Sequence, residues 1–158
     1  MWKSKPLILI AEDDENDAHL LRRTLKKIGV SMPIQIVEDG EEAIEYLSGM
    51  GQYTDRDIYP FPSVVVTDIK MPRKNGFDVL RWLKKHPDCA IIPVVVWTSS
   101  NQESDILKAY QLGANCYVQK PNSAAGWEET IALIFKFWDA CQKPSLRLSH
   151  CAEAQKTC

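Results

Sequence analysis

Ser63-Val64-Val65-Val66-Thr67, with Asp68 directly behind it, is the stretch that decides the fold. A run of adjacent β-branched residues does not alternate apolar with polar. It therefore needs apolar neighbours on both faces, and belongs inside a parallel sheet covered on both sides. An acid directly after such a run falls at the C-terminal end of the strand. Open α/β sheets place their crevice along that edge.

The same unit recurs on either side of this stretch. Leu7-Ile8-Leu9-Ile10 reads as a first strand. Residues 14–29 follow as a helix with Ala18, Leu21, Leu25 and Ile28 on one face and Gly29 as its stop. Ile34-Gln35-Ile36-Val37 is a second strand, and residues 41–47 a short helix. After the quoted strand, residues 77–85 are helical and Pro87 closes them. Pro93-Val94-Val95-Val96-Trp97 is the fourth strand, followed by a helix over 103–112 that ends at Gly113. Cys116-Tyr117-Val118 is a short fifth strand. Ser123 caps a last helix bearing Trp127, Ile131, Ile134, Phe135 and Trp138. Five strand–helix units are too few for an eight-fold barrel. The expectation is an α/β fold in a single domain, a doubly wound five-stranded parallel sheet.

Two segments break this rhythm. Residues 49–62 should be an irregular loop, long and with several aromatics and prolines. Residues 144–158 lack a strong apolar period and are expected to be a partly ordered tail after a domain spanning 1–143.

Bulk properties exclude several function classes. A net charge of −2 supplies no general field for nucleic acid or an anionic membrane. The last helix consumes most of the chain after Pro121, leaving no room for a helix-turn-helix. No run approaches the roughly 20 apolar residues of a membrane span, and Glu12-Asp13-Asp14 cuts short the first apolar run, so no secretory signal is read. Five cysteines are an odd number with no C-x-x-C pair, which fits a reducing cytoplasm. His19, His86 and His150 are isolated and read as surface residues, so any histidine chemistry would come from a partner.

The chemistry lies where the polar residues fall. Glu12-Asp13-Asp14 ends the first strand, Asp68 the third, Thr98-Ser99-Ser100 the fourth, and Lys120-Pro121 the fifth. In this architecture all four sets reach one crevice. Carboxylates held together repel, and a hard divalent cation relieves them. Carboxylates with waters suit Mg²⁺. Asp13 and Asp68 are natural direct ligands, and the backbone carbonyl of Lys70 can complete the protein's share. A carboxylate beside Mg²⁺ is also a candidate nucleophile for an aspartyl phosphate. Lys120 and the Thr98 hydroxyl can each meet an oxygen of a transferring phosphoryl group. Taken one at a time, these residues have plainer readings. The acidic triplet suits a helix N-terminus, Asp68 can cap a turn, Lys120 can be a surface lysine, and Tyr117 can be a fixed core aromatic.

Together the motifs Leu9-Ile10-Ala11-Glu12-Asp13-Asp14, Val66-Thr67-Asp68-Ile69-Lys70-Met71-Pro72 with Asn75-Gly76, Pro93 through Ser99, and Gly113-Ala114 through Lys120-Pro121 resemble the receiver domains of two-component response regulators, over residues 5 to about 140. The resemblance implies a flavodoxin-like strand order, 2-1-3-4-5. It implies Asp68 as phosphoacceptor, Glu12 and Asp13 as the acidic pair, Thr98 and Tyr117 as switch residues, and Lys120 as the phosphate-pairing lysine. It also suggests a cis peptide before Pro121.

The implied partner is a histidine kinase or phosphotransfer protein, with a possible homodimer through the fourth helix, fifth strand and fifth helix. Three features depart from the common pattern. Glu12 stands where many receivers have Asp, which points to a metal contact through water. Ser99 replaces a small apolar residue, and the 49–62 loop is long. The long loop, with Tyr110 through Asn115 and the Trp127–Trp138 helix, looks like the phytochrome-associated branch of stand-alone regulators. A Mg²⁺-dependent phosphohydrolase with an aspartyl nucleophile is the alternative. Many of those carry D-x-D on strand one, whereas the acids here are consecutive. A flavin or nucleotide binder would need a glycine-rich loop after strand one, which is missing.

Overall fold

The structure is a computed structural model and describes residues 6–143. The expected tail at 144–158 lies outside the described residues. Five strands, β1 (Ile8–Ala11), β2 (Ile34–Val37), β3 (Val64–Thr67), β4 (Val94–Thr98) and β5 (Cys116–Gln119), alternate with five helices, α1 (Glu15–Lys27), α2 (Gly40–Ser48), α3 (Gly76–Lys85), α4 (Glu103–Gln111) and α5 (Ala124–Ala140). All pairings are parallel and the sheet order is β2-β1-β3-β4-β5. The central strands are buried along their whole length, as the valine runs require. β2 and β5 form the edges and are mostly half-buried or exposed.

Alternate residues of each strand feed two cores. Ile8, Ile10, Val64, Val66, Val95 and Trp97 face α1 and α5, where they meet Leu21, Leu25, Trp127 and Ile131. Leu9, Ala11, Val65, Val94 and Val96 face the other side and meet Ala43, Leu47, Val79, Leu80 and Ala109. Burying each large aliphatic side chain stabilises the fold by about 1.5–3 kcal/mol. Side-chain caps set the helix starts. Asp14, Asp39, Asn75 and Ser123 each accept from the backbone N–H three residues on.

Two features differ from the sequence-based expectation and a third refines it. Segment 49–62 is irregular apart from a 3-10 turn at Gly51–Tyr53, but its aromatic side chains are packed. Tyr46, Tyr53 and Tyr59 cluster, with ring centroids 4.9–6.2 Å apart. Arg56 lies 4.1 Å from the Phe61 ring centroid and donates to the carbonyls of Leu47 and Tyr59. Aromatic burial together with one guanidinium thus holds a segment that has no periodicity to announce it. The Lys120–Pro121 peptide is trans, the form an X–Pro bond favours by about 0.5–1 kcal/mol. His86 is half-buried and stacks on Trp82 with centroids 3.9 Å apart, instead of standing free on the surface. Among the described residues no helix is long and apolar enough to cross a membrane.

Candidate functional site

At the C-terminal edge of the sheet, the parallel register brings the ends of β1, β3, β4 and β5 side by side. Glu12 follows β1, and its amide donates to Val37 on β2 at 3.0 Å. Asp68 follows β3, and its amide donates to Ala11 on β1 at 3.0 Å. The Lys120 amide donates to the Thr98 carbonyl at 2.7 Å, tying β5 to β4. The sheet's own hydrogen bonding therefore sets the spacing of these side chains.

Lys120 is the hub. Its ammonium donates to Glu12 Oε2 at 2.7 Å, Asp17 Oδ2 at 2.8 Å and Asp68 Oδ2 at 2.7 Å. Its side chain is only 7% exposed, so these contacts lie away from bulk water. The other Asp68 oxygen accepts from the Ile69 amide at 2.6 Å. Glu12, Asp13 and Asp68 each offer a carboxylate oxygen within 4.8 Å of the other two. Glu12 and Asp68 are buried, whereas Asp13 is exposed.

The charges have consequences. Burial pushes the Glu12 carboxyl up to about 7, against the hydrogen bond and charge of Lys120, which pull it down. Burial alone would lower Lys120, but its hydrogen bonds to Asp17, Asp68 and Glu12 outweigh it and raise it. With one ammonium shared among three acids and Asp13 beside them, negative charge is left over. A hard cation with oxygen ligands fits that surplus. Asp13 and Lys70 line the same cleft of about 490 Å³, with Ile69, Met71, Asn75 and Phe77. A larger cavity of about 660 Å³, lined by Ile28, Val30, Met32, Ser63 and Trp138 among others, lies at the opposite end of the strands and away from the acids.

The loop after Asp68 is held tightly. A Cβ added at Gly76 would stand 2.2 Å from the Asp68 carbonyl oxygen, so only glycine lets α3 begin directly beneath that residue. Asn75 and Asp78 close the capping box that starts the helix. Arg73 takes a positive φ of 61° and binds the buried carboxylate of Asp39.

Thr98 is buried at the floor of the crevice, and its hydroxyl accepts from the Ser100 amide at 3.4 Å. Tyr117 is half-buried, and its hydroxyl donates to the Ser100 carbonyl at 2.9 Å. The structure thus brings together Glu12, Asp13, Asp68 and Lys120, with Thr98 on the adjoining strand and Lys70 on the rim. One participant escaped the sequence reading. Asp17 reaches Lys120 from the first turn of α1, where the helix dipole is reason enough for an acid, so nothing singled it out. Ser100, already noted in the polar triplet, links Tyr117 to Thr98 through its backbone.

Comparisons with known proteins agree with this geometry. Residues 8–132 match the family model described as the response regulator receiver domain. The response regulator Rcp1 of Synechocystis is 33% identical over 132 residues, covering 84% of this chain and 88% of that protein. The Mn²⁺-bound form of Rcp1 superposes with a TM-score of 0.80 at 32% identity, over 89% of this chain and 99% of that one. The phosphorylated cyanobacterial phytochrome response regulator RcpA gives 0.82 at 32% identity, with the same coverage. A response regulator in red light signaling of R. palustris gives 0.84 at 30% identity, again over 89% and 99%. With the fold, the crevice and the motif order in accord, the chain belongs to the response regulator receiver domain family of two-component signalling.

Proposed function

We propose that this receiver accepts a phosphoryl group on Asp68 from a histidine kinase or phosphotransfer protein and then signals by changing its contacts with another protein. The observation that carries this reading is the Asp68 carboxylate, held 2.7 Å from the Lys120 ammonium in a crevice with Glu12 and Asp13. A bond forms between an Asp68 oxygen and phosphorus as the donor's phosphorus–nitrogen bond breaks. That electron pair stays on the departing imidazole, which takes up a proton. Lys120 meets the charge on the phosphoryl oxygens, and the Thr98 hydroxyl donates to another.

Asp13 and Asp68 would hold Mg²⁺ directly, with the Lys70 carbonyl, and Glu12 would reach it through water. Bound there, the cation neutralises charge on the transferring group. Support comes from the carboxylates within 4.8 Å of one another and from the Mn²⁺-bound form of the relative Rcp1. RcpA, another relative, is known in a phosphorylated form. Since RcpA is a phytochrome response regulator, a phytochrome-type kinase is the proposed donor.

The protein acts as a phosphorylation switch with self-phosphorylating and self-dephosphorylating activity, not as a turnover enzyme. Thr98 and Tyr117 carry the change to α4, β5 and α5, where a homodimer contact is proposed. Intact-mass measurement after incubation with acetyl phosphate and Mg²⁺ tests the reading. Wild type should gain one phosphoryl mass and Asp68→Asn none. A gain that persists in Asp68→Asn overturns the assignment.

A further inference from the structure

Three carboxylates share the Lys120 ammonium, yet only two of them stand in the acidic group able to hold a cation. Glu12 and Asp68 belong to it. Asp17 does not: it sits in the first turn of α1, its side chain about one-third exposed, with Oδ2 2.8 Å from Lys120 Nζ. An ammonium has three N–H donors, and here every one is engaged.

A divalent cation changes that balance. It draws on Asp68 directly and on Glu12 through water, two of the carboxylates that Lys120 also binds, and it repels the ammonium. A lysine whose other partners are shared with a cation is free to swing on its four-carbon stem. Asp17 is the one acid among the three that the cation does not claim. We propose that Asp17 is a positioning residue. It anchors Lys120 to α1, so that the ammonium stays beside Asp68 when the cation binds and when a phosphoryl group arrives.

The local structure suits this role. Asp17's own amide donates to Asp14 Oδ1 at 3.0 Å, within the cap of α1. This fixes the backbone from which its carboxylate projects. Lys120 is fixed from below, through its amide on the Thr98 carbonyl at 2.7 Å. Both ends of the Asp17–Lys120 link thus start from rigid elements, which is the condition for a charge pair to orient a reactive group. This inference rests on the proposed role of Asp68 but concerns a different residue and has its own readout.

The first measurement needs no phosphorylation. In protein labelled with ¹⁵N-lysine, the buried, triply bonded Lys120 ammonium should give a slowly exchanging NMR signal, assigned by its loss in Lys120→Ala. It should persist when Mg²⁺ is added to wild type. In Asp17→Asn it should vanish on adding Mg²⁺, with thermal stability unchanged by more than a few degrees. A signal that survives Mg²⁺ in Asp17→Asn overturns the proposal.

The second measurement is the rate of mass gain from acetyl phosphate at saturating Mg²⁺. Asp17→Asn should slow it about tenfold, and Asp17→Glu should recover part of that loss. In a Lys120→Ala background, Asp17→Asn should change the rate less than about twofold, because its effect runs through the lysine. An equal loss in both backgrounds overturns the proposal. Absence of any mass gain on Asp68 of the wild type would count against the proposed phosphoacceptor instead, and the ammonium signal would then decide on Asp17.

Discussion

Asp68 has two separately engaged oxygens, one on the Ile69 amide and one on Lys120. Its carboxylate is therefore oriented before any ligand arrives, and its backbone is crowded from below by the start of α3. The Gly76 position marks that crowding. A methyl group there would meet the Asp68 carbonyl oxygen and carbon and the Ile69 Cα, all backbone atoms that cannot rotate away. Gly76→Ala should destabilise the fold by about 1–3 kcal/mol, the usual cost of forced overpacking. It should also slow phosphorylation, because the relief must come from shifting the Asp68–Ile69 peptide. Denaturant unfolding and the acetyl phosphate rate measure the two effects. Wild-type stability combined with a wild-type rate would show that α3 can retreat without disturbing Asp68. The place of Asp68 at the crevice could be read from the sequence, since an acid directly after a buried parallel strand falls on the C-terminal edge of the sheet. Asp17 could not, because an acid in the first turn of a helix has a sufficient reason in the helix dipole.

Among the elements, α5 combines a buried and an exposed apolar surface. Trp127 and Ile131 are buried against Trp97 and the sheet, and the rings of Trp97 and Trp127 meet nearly edge-on at 5.0 Å. Leu133 and Phe137, one turn apart, stand 69% and 65% exposed. On α4, which packs on the opposite face of the sheet, Leu107 and Tyr110 are exposed as well. A helix needs only a stripe about 100° wide to seal a core, so these side chains exceed what packing requires. The proposed homodimer through this face predicts that sedimentation with a phosphoryl mimic shifts the wild type from monomer toward dimer and leaves Phe137→Asp monomeric, with its phosphorylation rate intact. A wild type that stays monomeric in both states removes this face from the dimer proposal. Helical periodicity sets Phe137 about 100° from both Lys136 and Trp138, near the edge of the α5 stripe, so its exposure has a signal in the sequence. The packing of 49–62 had no such signal. Tyr53, Tyr59 and Phe61 lie in a segment with no sustained period, and only the folded chain shows Tyr46, Tyr53 and Tyr59 meeting one another and Tyr46 and Phe61 meeting Arg56.

Over the whole molecule, carboxylates from β1 and β3 are forced together by the same sheet that stabilises the fold, and their mutual repulsion opposes folding. A cation that binds only the folded chain should therefore raise its stability. At a concentration about one hundred times its dissociation constant the gain is about 2.7 kcal/mol, which corresponds to about 5–11 °C in Tm for a domain of this size. Thermal melts across a Mg²⁺ series should show this for wild type, while Asp13→Ala should lose most of it. An equal rise in both would mean that the ion acts elsewhere. The order of elements was fixed by local sequence. Short apolar, largely β-branched runs read as strands and the longer amphipathic segments between them as helices crossing over, so five parallel strands and an acidic edge follow without any knowledge of contacts. The strand order needed the family resemblance, since periodicity does not say which strand lies beside which. What only the tertiary structure decided is the partnership of side chains distant in sequence: Lys120 shared among Glu12, Asp17 and Asp68, Asp39 bound to Arg73, and the aromatic cluster around Arg56. Periodicity tells a residue which face to occupy. Whether two charges on facing elements come within 3 Å depends on strand register, helix position and rotamer together, and those are set by packing the whole chain.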